Sequence, residues 1–291
     1  MIESGTILKG IGGFYYVKTN KGIIECRARG KFRNEAKTPT VGDFVEIEID
    51  SDNTGYVKNI KKRKNFFVRP PISNIDTLII VAALKNPEPD FVFIDKMILI
   101  AKKNNVDVIL CINKTDLDDD NELERIKEIY KNSNIKLIAV STYENDGIDI
   151  LKKSINQKVT AFAGFSGVGK SSILKMLTGL DLETGDISKK LSRGKHTTRH
   201  VELLEYEEGS YLADTPGFSM LDIPDILSNE LYEYYDEFLP YVDGCKFSDC
   251  SHINENKCAV KDAVENNEIS KSRYESYKLF YKTLKEKENT Y

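Results

Sequence analysis

The sequence predicts an α/β core flanked by a small N-terminal β-barrel and a helical C-terminal unit. Three observations carry that expectation. Residues 75–160 alternate strand-like and helix-like segments, short β-rich stretches fill 1–69, and three cysteines and a histidine gather at 245–258. Alternation of the first kind marks a parallel sheet covered by helices, and closely spaced short strands without a helical period mark a barrel.

The barrel comes first in the chain. "GTILKG", "GFYYVKT", "GIIECRA", "DFVEIEID" and "GYVKNIKK" are rich in β-branched and aromatic residues, and "GIGG", "TNKG" and "SDNTG" break them. Five such strands fit an OB-like barrel, with an SH3-like barrel as the alternative. Residues 1–70 carry 14 Lys and Arg against 8 Asp and Glu, within a whole-chain charge of −4. A basic small unit on an acidic body suggests a polyanionic partner, although an ordinary solvated surface gives the same balance. Pro70 and Pro71 interrupt strand pairing and mark a boundary, so residues 1–69 form the first expected domain.

In the next segment, "DTLIIVAAL", "VDVILCIN", "IKLIAVS" and "VTAFAG" are expected strands, and 90–104, 121–132, 146–156 and 170–179 are expected helices. A polar loop at 183–198 precedes two more strands, "RHVELLEY" and "GSYLADT", which close an expected second domain of residues 70–222. Residues 223–291 read as a helical third domain. Its last stretch, 272–288, places apolar or aromatic residues at 274, 277, 280, 281 and 284, which is helical spacing, with Lys and Arg between them. That helix either packs its apolar face with a solvated basic face or lays the basic face on a nucleic acid.

Composition excludes other classes. "TLIIVAAL" and "VILCI" are the longest apolar runs and are far too short to span a bilayer. The start "MIESGTILKG" lacks the basic and apolar regions of a secretion signal. A cytoplasmic, monomeric protein with no membrane association is expected. Five cysteines make an odd count, which argues against a disulfide framework, and Cys26 and Cys111 read as packing residues.

Three motifs carry chemistry. "GFSGVGKS" at 164–171 has the phosphate-cradling pattern between a strand and a helix. Gly164, Phe165, Ser166, Gly167, Val168, Gly169, Lys170, Ser171 and Ser172 are the candidate loop: backbone N–H groups and the helix N-terminus face the phosphates, Lys170 neutralises them, and Ser171 ligates Mg²⁺. "LADTPG" at 212–217 ends a strand, placing Asp214 to hold Mg²⁺ through water and the Gly217 N–H to meet a γ-phosphate. Asn113, Lys114, Thr115 and Asp116 follow the strand "VILCI". An Asp carboxylate there accepts two hydrogen bonds from guanine, whereas adenine leaves it unpaired at a cost of about 1–3 kcal/mol or more. Asn113 can bond the base and tie the two loops together, Lys114 can cover the purine face, and the backbone of Ser141 and Thr142 can back the base. The base loops precede the phosphate loop in the chain, the reverse of the usual order. Each loop is placed by its own strand, so a circular permutation preserves the site.

The fourth cluster is Cys245, Cys250, His252 and Cys258. Three thiolates and an imidazole suit one structural, tetrahedral Zn²⁺, and four ligands leave no open position.

These motifs together resemble the bacterial small-ribosomal-subunit-dependent, circularly permuted GTPases, the RsgA family, also called YjeQ or YloQ. "NKTD", "GFSGVGKSS", "GKHTTRH", "DTPGF" and C-x₄-C-x-H-x₅-C occur in that family's order over nearly the whole chain. The resemblance implies a late assembly factor of the small (30S) subunit whose GTPase activity that subunit stimulates, with 16S rRNA as a partner, GTP and GDP as ligands, Mg²⁺ bound with GTP, and one zinc. Hydrolysis would control its release. Phe218 stands where a water-orienting Gln is expected, so another group must act. Thr197 or Thr198 is the candidate Mg²⁺ ligand in the loop "RGKHTTRH", and His196 either approaches the water or only touches RNA. Two other readings stay open: a passive RNA-binding module with a structural nucleotide site, and a GTPase with a protein client. Because only "DIPD" separates "DTPGFSML" from the third domain, chain order also gives a γ-phosphate contact a direct path to that domain.

Overall fold

A computed structural model of the chain describes residues 1–28, 30, 32, 38–50, 54–179, 201–214 and 218–290. Its barrel contains β1 (Ile2–Ile11), β2 (Phe14–Thr19), β3 (Gly22–Ala28), β4 (Phe44–Ile49) and β5 (Thr54–Ile60). The pairing runs β1-β2-β3-β5-β4, and β4 returns to β1 through five antiparallel pairs from Ile2↔Glu48 to Thr6↔Phe44. The five strands therefore close on themselves in the OB order, with β3 and β5 parallel. Every second residue turns inward, so Ile7, Val17, Ile24, Cys26, Val45, Ile47 and Val57 make the barrel core. Gly5 lets β1 cross β2 closely: a Cβ there would lie 2.1 Å from the Lys18 carbonyl oxygen.

The two prolines sit at the tip of a hairpin rather than in an open linker. β6 (Phe66–Val68) and β7 (Pro71–Ser73) pair antiparallel, and Pro71 opens its strand, where the ring removes no bond the ladder needs. Ser73 and Arg63 both bond the fully buried Asp43, at 2.7 Å and 2.6 Å, which fixes the hairpin to the barrel.

The α/β domain follows: β8 (Thr77–Ala83), α1 (Phe91–Lys103), β9 (Asp107–Asn113), a 3₁₀ turn at Thr115–Leu117, α2 (Glu122–Tyr130), β10 (Lys136–Ala139), α3 (Ile148–Ser154), β11 (Val159–Ala163), α4 (Lys170–Thr178), β12 (Glu202–Glu207) and β13 (Ser210–Asp214). Spatial order is β10-β9-β8-β11-β13-β12, parallel except for β12. Leu78, Ile80 and Leu110 face α1 and α2, while Ile79, Val81 and Cys111 face α3 and α4. Both sheet faces are buried, so β8 is buried throughout and apolar from Leu78 to Ala83. From β8 the chain builds outward to β10, then returns to β11 on the other side of β8. That reversal puts a crevice at the carboxyl ends of β8 and β11. β1 pairs with β12 at Lys9↔Glu202, so barrel and core share one sheet edge.

The C-terminal unit holds a 3₁₀ segment (Ser228–Tyr234), α5 (Leu239–Val242), α6 (Ala259–Glu265) and α7 (Lys271–Glu288). Tyr274, Tyr277, Phe280 and Leu284 of α7 are buried, as their spacing implies. Arg273 departs from the expected basic solvent face: its side chain is 1% exposed and pairs with Asp95 of α1 and Glu237. Leu99 of α1 joins the same apolar cluster, so this unit docks on α1 as well as following the "DTPG" segment in the chain.

Candidate nucleotide site and metal centre

The reversal point between β8 and β11 gathers the base and phosphate loops. Asn113 ends β9 fully buried, its Nδ2 donates to the Val168 carbonyl at 2.9 Å, and its Oδ1 accepts from the Thr142 N–H at 3.3 Å. One amide thus joins the loops after β9, β10 and β11. Lys114 adopts a left-handed conformation that turns the chain out of the strand, and its Nζ donates to the Asn86 carbonyl in the loop after β8. Thr115 anchors the turn by donating its hydroxyl to the Val140 carbonyl at 3.1 Å. Asp116 is half-buried, and the Ser141 hydroxyl donates to its Oδ1 at 2.6 Å. That bond fixes the carboxylate plane. The Ser141 and Thr142 N–H groups are spent on Asp146 and Asn113.

The phosphate loop owes its shape to backbone freedom at two glycines. Gly164 has φ 151°, and a Cβ on it would stand 2.4 Å from the Val81 carbonyl oxygen of β8. Gly169 has φ 97°, and its Cβ would stand 2.1 Å from Asn113 Nδ2. Any other residue at either position is strained by conformation and blocked by space. Val168 between them is buried against Ile173 and Val81, which seats α4. Ser166 and Gly167 are exposed at the rim, Phe165 lies with its ring 4.3 Å from that of Phe93, and Ser171 and Ser172 follow Lys170 in the first turn of α4. Lys170 Nζ donates to the Gly164 and Phe165 carbonyls at 2.7 and 2.6 Å, and burial holds its ammonium below the usual lysine range. A half-desolvated ammonium on two neutral carbonyls is a strong partner for an anion.

Asp214 ends β13 beside β11, paired in register with Glu202. Thr215, Pro216 and Gly217, and the loop with His196, Thr197 and Thr198, lie outside the described residues. Phe218, directly after the motif, is 1% exposed and its ring lies 5.1 Å from that of Phe67.

The second centre brings together all four residues expected to bind metal. Cys245, Cys250, His252 and Cys258 offer ligand atoms within 4.8 Å of one another. Cys245 Sγ lies 3.8 Å from Cys258 Sγ and 3.6 Å from His252 Nδ1, and His252 Nδ1 lies 3.4 Å from Cys258 Sγ. Ligands at about 2.0–2.3 Å around a tetrahedral ion stand about 3.4–3.8 Å apart, so the spacing fits. Burial pushes the Cys250 thiol up to about 12, also raises Cys258, and lowers the His252 imidazolium below its usual value. Thiolates so placed need a cation beside them. The supporting bonds are firm. Tyr274 and Tyr277 donate to the His252 and Ser251 carbonyls, each at 2.7 Å. Burial raises the Glu255 carboxyl, but bonds from Ser251 and nearby N–H groups overcome this and bring it down to about 2.

Sequence reading missed two contacts of this region, Phe67 with Phe218 and Arg273 with Asp95 and Glu237. The second left a trace: Asp95 interrupts the apolar run "FVFIDKMILIA", and Arg273 falls four residues before Tyr277 on the buried stripe. Among the described residues no helix is long and apolar enough to cross a membrane.

The chain matches the family model described as RsgA GTPase over residues 60–224 and that of the RsgA N-terminal domain over 4–57. A relative from Caldanaerobacter subterraneus subsp. tengcongensis, named small ribosomal subunit biogenesis GTPase RsgA, is 45% identical over 285 residues, covering 98% of this chain and 96% of the relative. A protein of the same name from Ruminiclostridium cellulolyticum is 46% identical over 290 residues, covering 98% and 95%. Among solved structures, YjeQ from Thermotoga maritima superposes with a TM-score of 0.84 at 36% identity, over 98% of this chain and 99% of that one. YloQ, described as a circularly permuted GTPase, gives 0.82 at 34%, over 99% and 96%.

Proposed function

This chain belongs to the RsgA GTPase family, and we propose that it hydrolyses GTP as an assembly factor of the small ribosomal subunit, binding 16S rRNA and using hydrolysis to control its release. The observation that carries this reading is the Asn113–Val168 bond of 2.9 Å, which locks a guanine-type loop to a phosphate loop. Lys170, bonded to the Gly164 and Phe165 carbonyls at the start of α4, supports the phosphate-binding half of this reading.

In this reading Asp116, oriented by Ser141, accepts from guanine, Lys114 covers the base, and Lys170 with the N–H groups of 164–172 holds the phosphates. Ser171, Asp214 and one of Thr197 and Thr198 hold Mg²⁺. The Gly217 N–H meets the γ-phosphate, and His196 is the candidate group near the water. Mg²⁺ supplies neutralisation of charge on the β and γ oxygens. The Cys245, Cys250, His252 and Cys258 centre takes a structural zinc, because three thiolates and one imidazole select that ion. The working units are a barrel over 1–69, a GTPase domain over 70–222 and a zinc unit over 223–291, acting as a monomer in the cytoplasm.

Co-sedimentation with purified small subunits tests the partner. The chain should pellet with them in a non-hydrolysable GTP analogue and dissociate in GDP, since a nucleotide shifts the equilibrium only through differential affinity. Equal pelleting in both nucleotides, or none in either, rejects the release cycle.

A further inference from the structure

The segment from Asn86 to Phe93, which leads from β8 into α1, lies beside both nucleotide loops. The Asn86 carbonyl accepts from Lys114 Nζ, and Pro87 stands next to Gly167, 3.8 Å from where a Cβ there would lie. At the end of the segment, the Phe93 ring lies 4.3 Å from that of Phe165, tilted at 40°. Asp90 Oδ1 accepts from the Phe93 N–H at 2.9 Å, so the helix cap fixes the turn on which that ring stands. Phe93 is 6% exposed and belongs to the apolar cluster between α1 and the sheet, whereas Phe165 is 43% exposed.

A ring left nearly half in water adds little to the core, but it can hold its own backbone in place. β11 ends at Ala163, and Gly164 is confined by its close approach to the Val81 carbonyl. Phe165 lies one residue further on, past the strand ladder. Its carbonyl nevertheless accepts one of the two bonds from Lys170 Nζ, at 2.6 Å. We propose that Phe93 is a positioning residue for nucleotide binding: by seating the Phe165 ring it holds the phosphate loop, and the carbonyl that carries Lys170, in the shape the phosphates meet. The inference rests on the nucleotide site of the GTPase reading above and deepens it. Binding groups held in advance escape the cost of ordering on association, so loosening the seat lowers affinity. The loss should fall on the share of affinity that the phosphates supply, because the ring seats the phosphate loop and Asp116 reads the base.

Variants of the full chain test this: Phe93→Ala, Phe93→Leu, Phe165→Ala, the double alanine variant, and Ile98→Ala as a control from the same helix and apolar cluster. Affinities for guanosine, GDP and GTP are measured by competition against a fluorescent GDP. Phe93→Ala should weaken GDP and GTP by about threefold to tenfold, the range an aromatic pair supplies, while guanosine stays within about twofold. Phe93→Leu should recover part of the loss. Phe165→Ala should match Phe93→Ala, and the double variant should lose no more than either single one, as expected of two residues that act through one contact. Ile98→Ala empties a similar volume and should keep the wild-type ratio of GDP to guanosine affinity. A wild-type ratio in Phe93→Ala overturns the proposal, as does an equal fall in Ile98→Ala or losses that add in the double variant. If Phe93→Ala does not fold, Phe165→Ala decides from the exposed side of the contact: a lowered ratio supports the seat and a wild-type ratio overturns it. A wild-type chain that binds none of the three ligands removes the nucleotide-site reading itself, whereas wild-type binding with an unaffected Phe93→Ala removes this inference alone.

Discussion

Replacing Arg273 with Met removes the cation that joins the C-terminal unit to α1 while keeping a long, helix-compatible side chain. Arg273 Nη1 donates to Asp95 Oδ1 at 2.6 Å and its Nε to Glu237 Oε1 at 2.7 Å, with the guanidinium 4.7 Å from the Tyr235 ring centre. The three side chains are 1%, 0% and 4% exposed, so one cation offsets two carboxylates away from water. Removing one partner of such a buried group costs about 3–5 kcal/mol. The cost has a pH signature. Burial pushes the Asp95 carboxyl above its usual value, and Arg273 is the first of the groups that pull it back. Without Arg273 it rises further. A carboxyl raised on folding keeps a proton that the unfolded chain has released, so stability falls as pH rises from the ordinary carboxylate range. The variant should therefore lose most on the alkaline side of the ordinary carboxylate range and regain stability on acidification, by up to about 1.4 kcal/mol for each pH unit. Denaturant unfolding followed by near-UV tyrosine circular dichroism reads this unit, because the chain has no Trp and Tyr235, Tyr274 and Tyr277 sit in its core. Full stability of the variant at neutral pH, or a loss that grows on acidification, refutes the reasoning.

Asp116→Asn should weaken GTP binding by about 1–3 kcal/mol and admit xanthine nucleotides, whose carbonyl needs a donor; unchanged GTP preference in a competition assay removes the base-reader assignment. Gly169→Ala places a methyl group 2.1 Å from Asn113 Nδ2, so nucleotide affinity should drop at least about tenfold while circular dichroism stays native. Cys250→Ser and Cys258→Ser should each lose the metal found by elemental analysis and destabilise residues beyond about 223, since binding and folding are coupled at a small site, while nucleotide affinity survives. Retention of metal in both would dismiss the site.

Much of this fold is legible in the sequence because local pattern and tertiary role agree. β8 reads as a strand because both its faces are buried, and the barrel strands read as strands because every second residue is core. The nucleotide loops are legible because strand, glycine spacing and helix occur together, and Gly164 and Gly169 leave no room for another residue. What the sequence concealed is long-range. Pairing of β6 with β7 turns an apparent proline break into a hairpin, and Phe218 finds Phe67 across the chain. Arg273 looked like surface charge because its two carboxylate partners lie on distant elements. The chain order suggested that the loop after Asp214 pulls directly on the C-terminal unit. The Arg273 pairs and Leu99 also fasten that unit to α1, while the barrel side holds Phe218.

The central claim is that this chain is a GTPase whose activator is the small ribosomal subunit. GTP turnover measured with isolated small subunits, isolated large subunits, whole ribosomes and buffer alone tests it most directly. Intrinsic hydrolysis should be slow, accelerated by isolated small subunits and unchanged by large subunits, with Lys170→Ala abolishing both the basal and the stimulated rates. Equal rates in all four conditions, or stimulation by the large subunit alone, would contradict it.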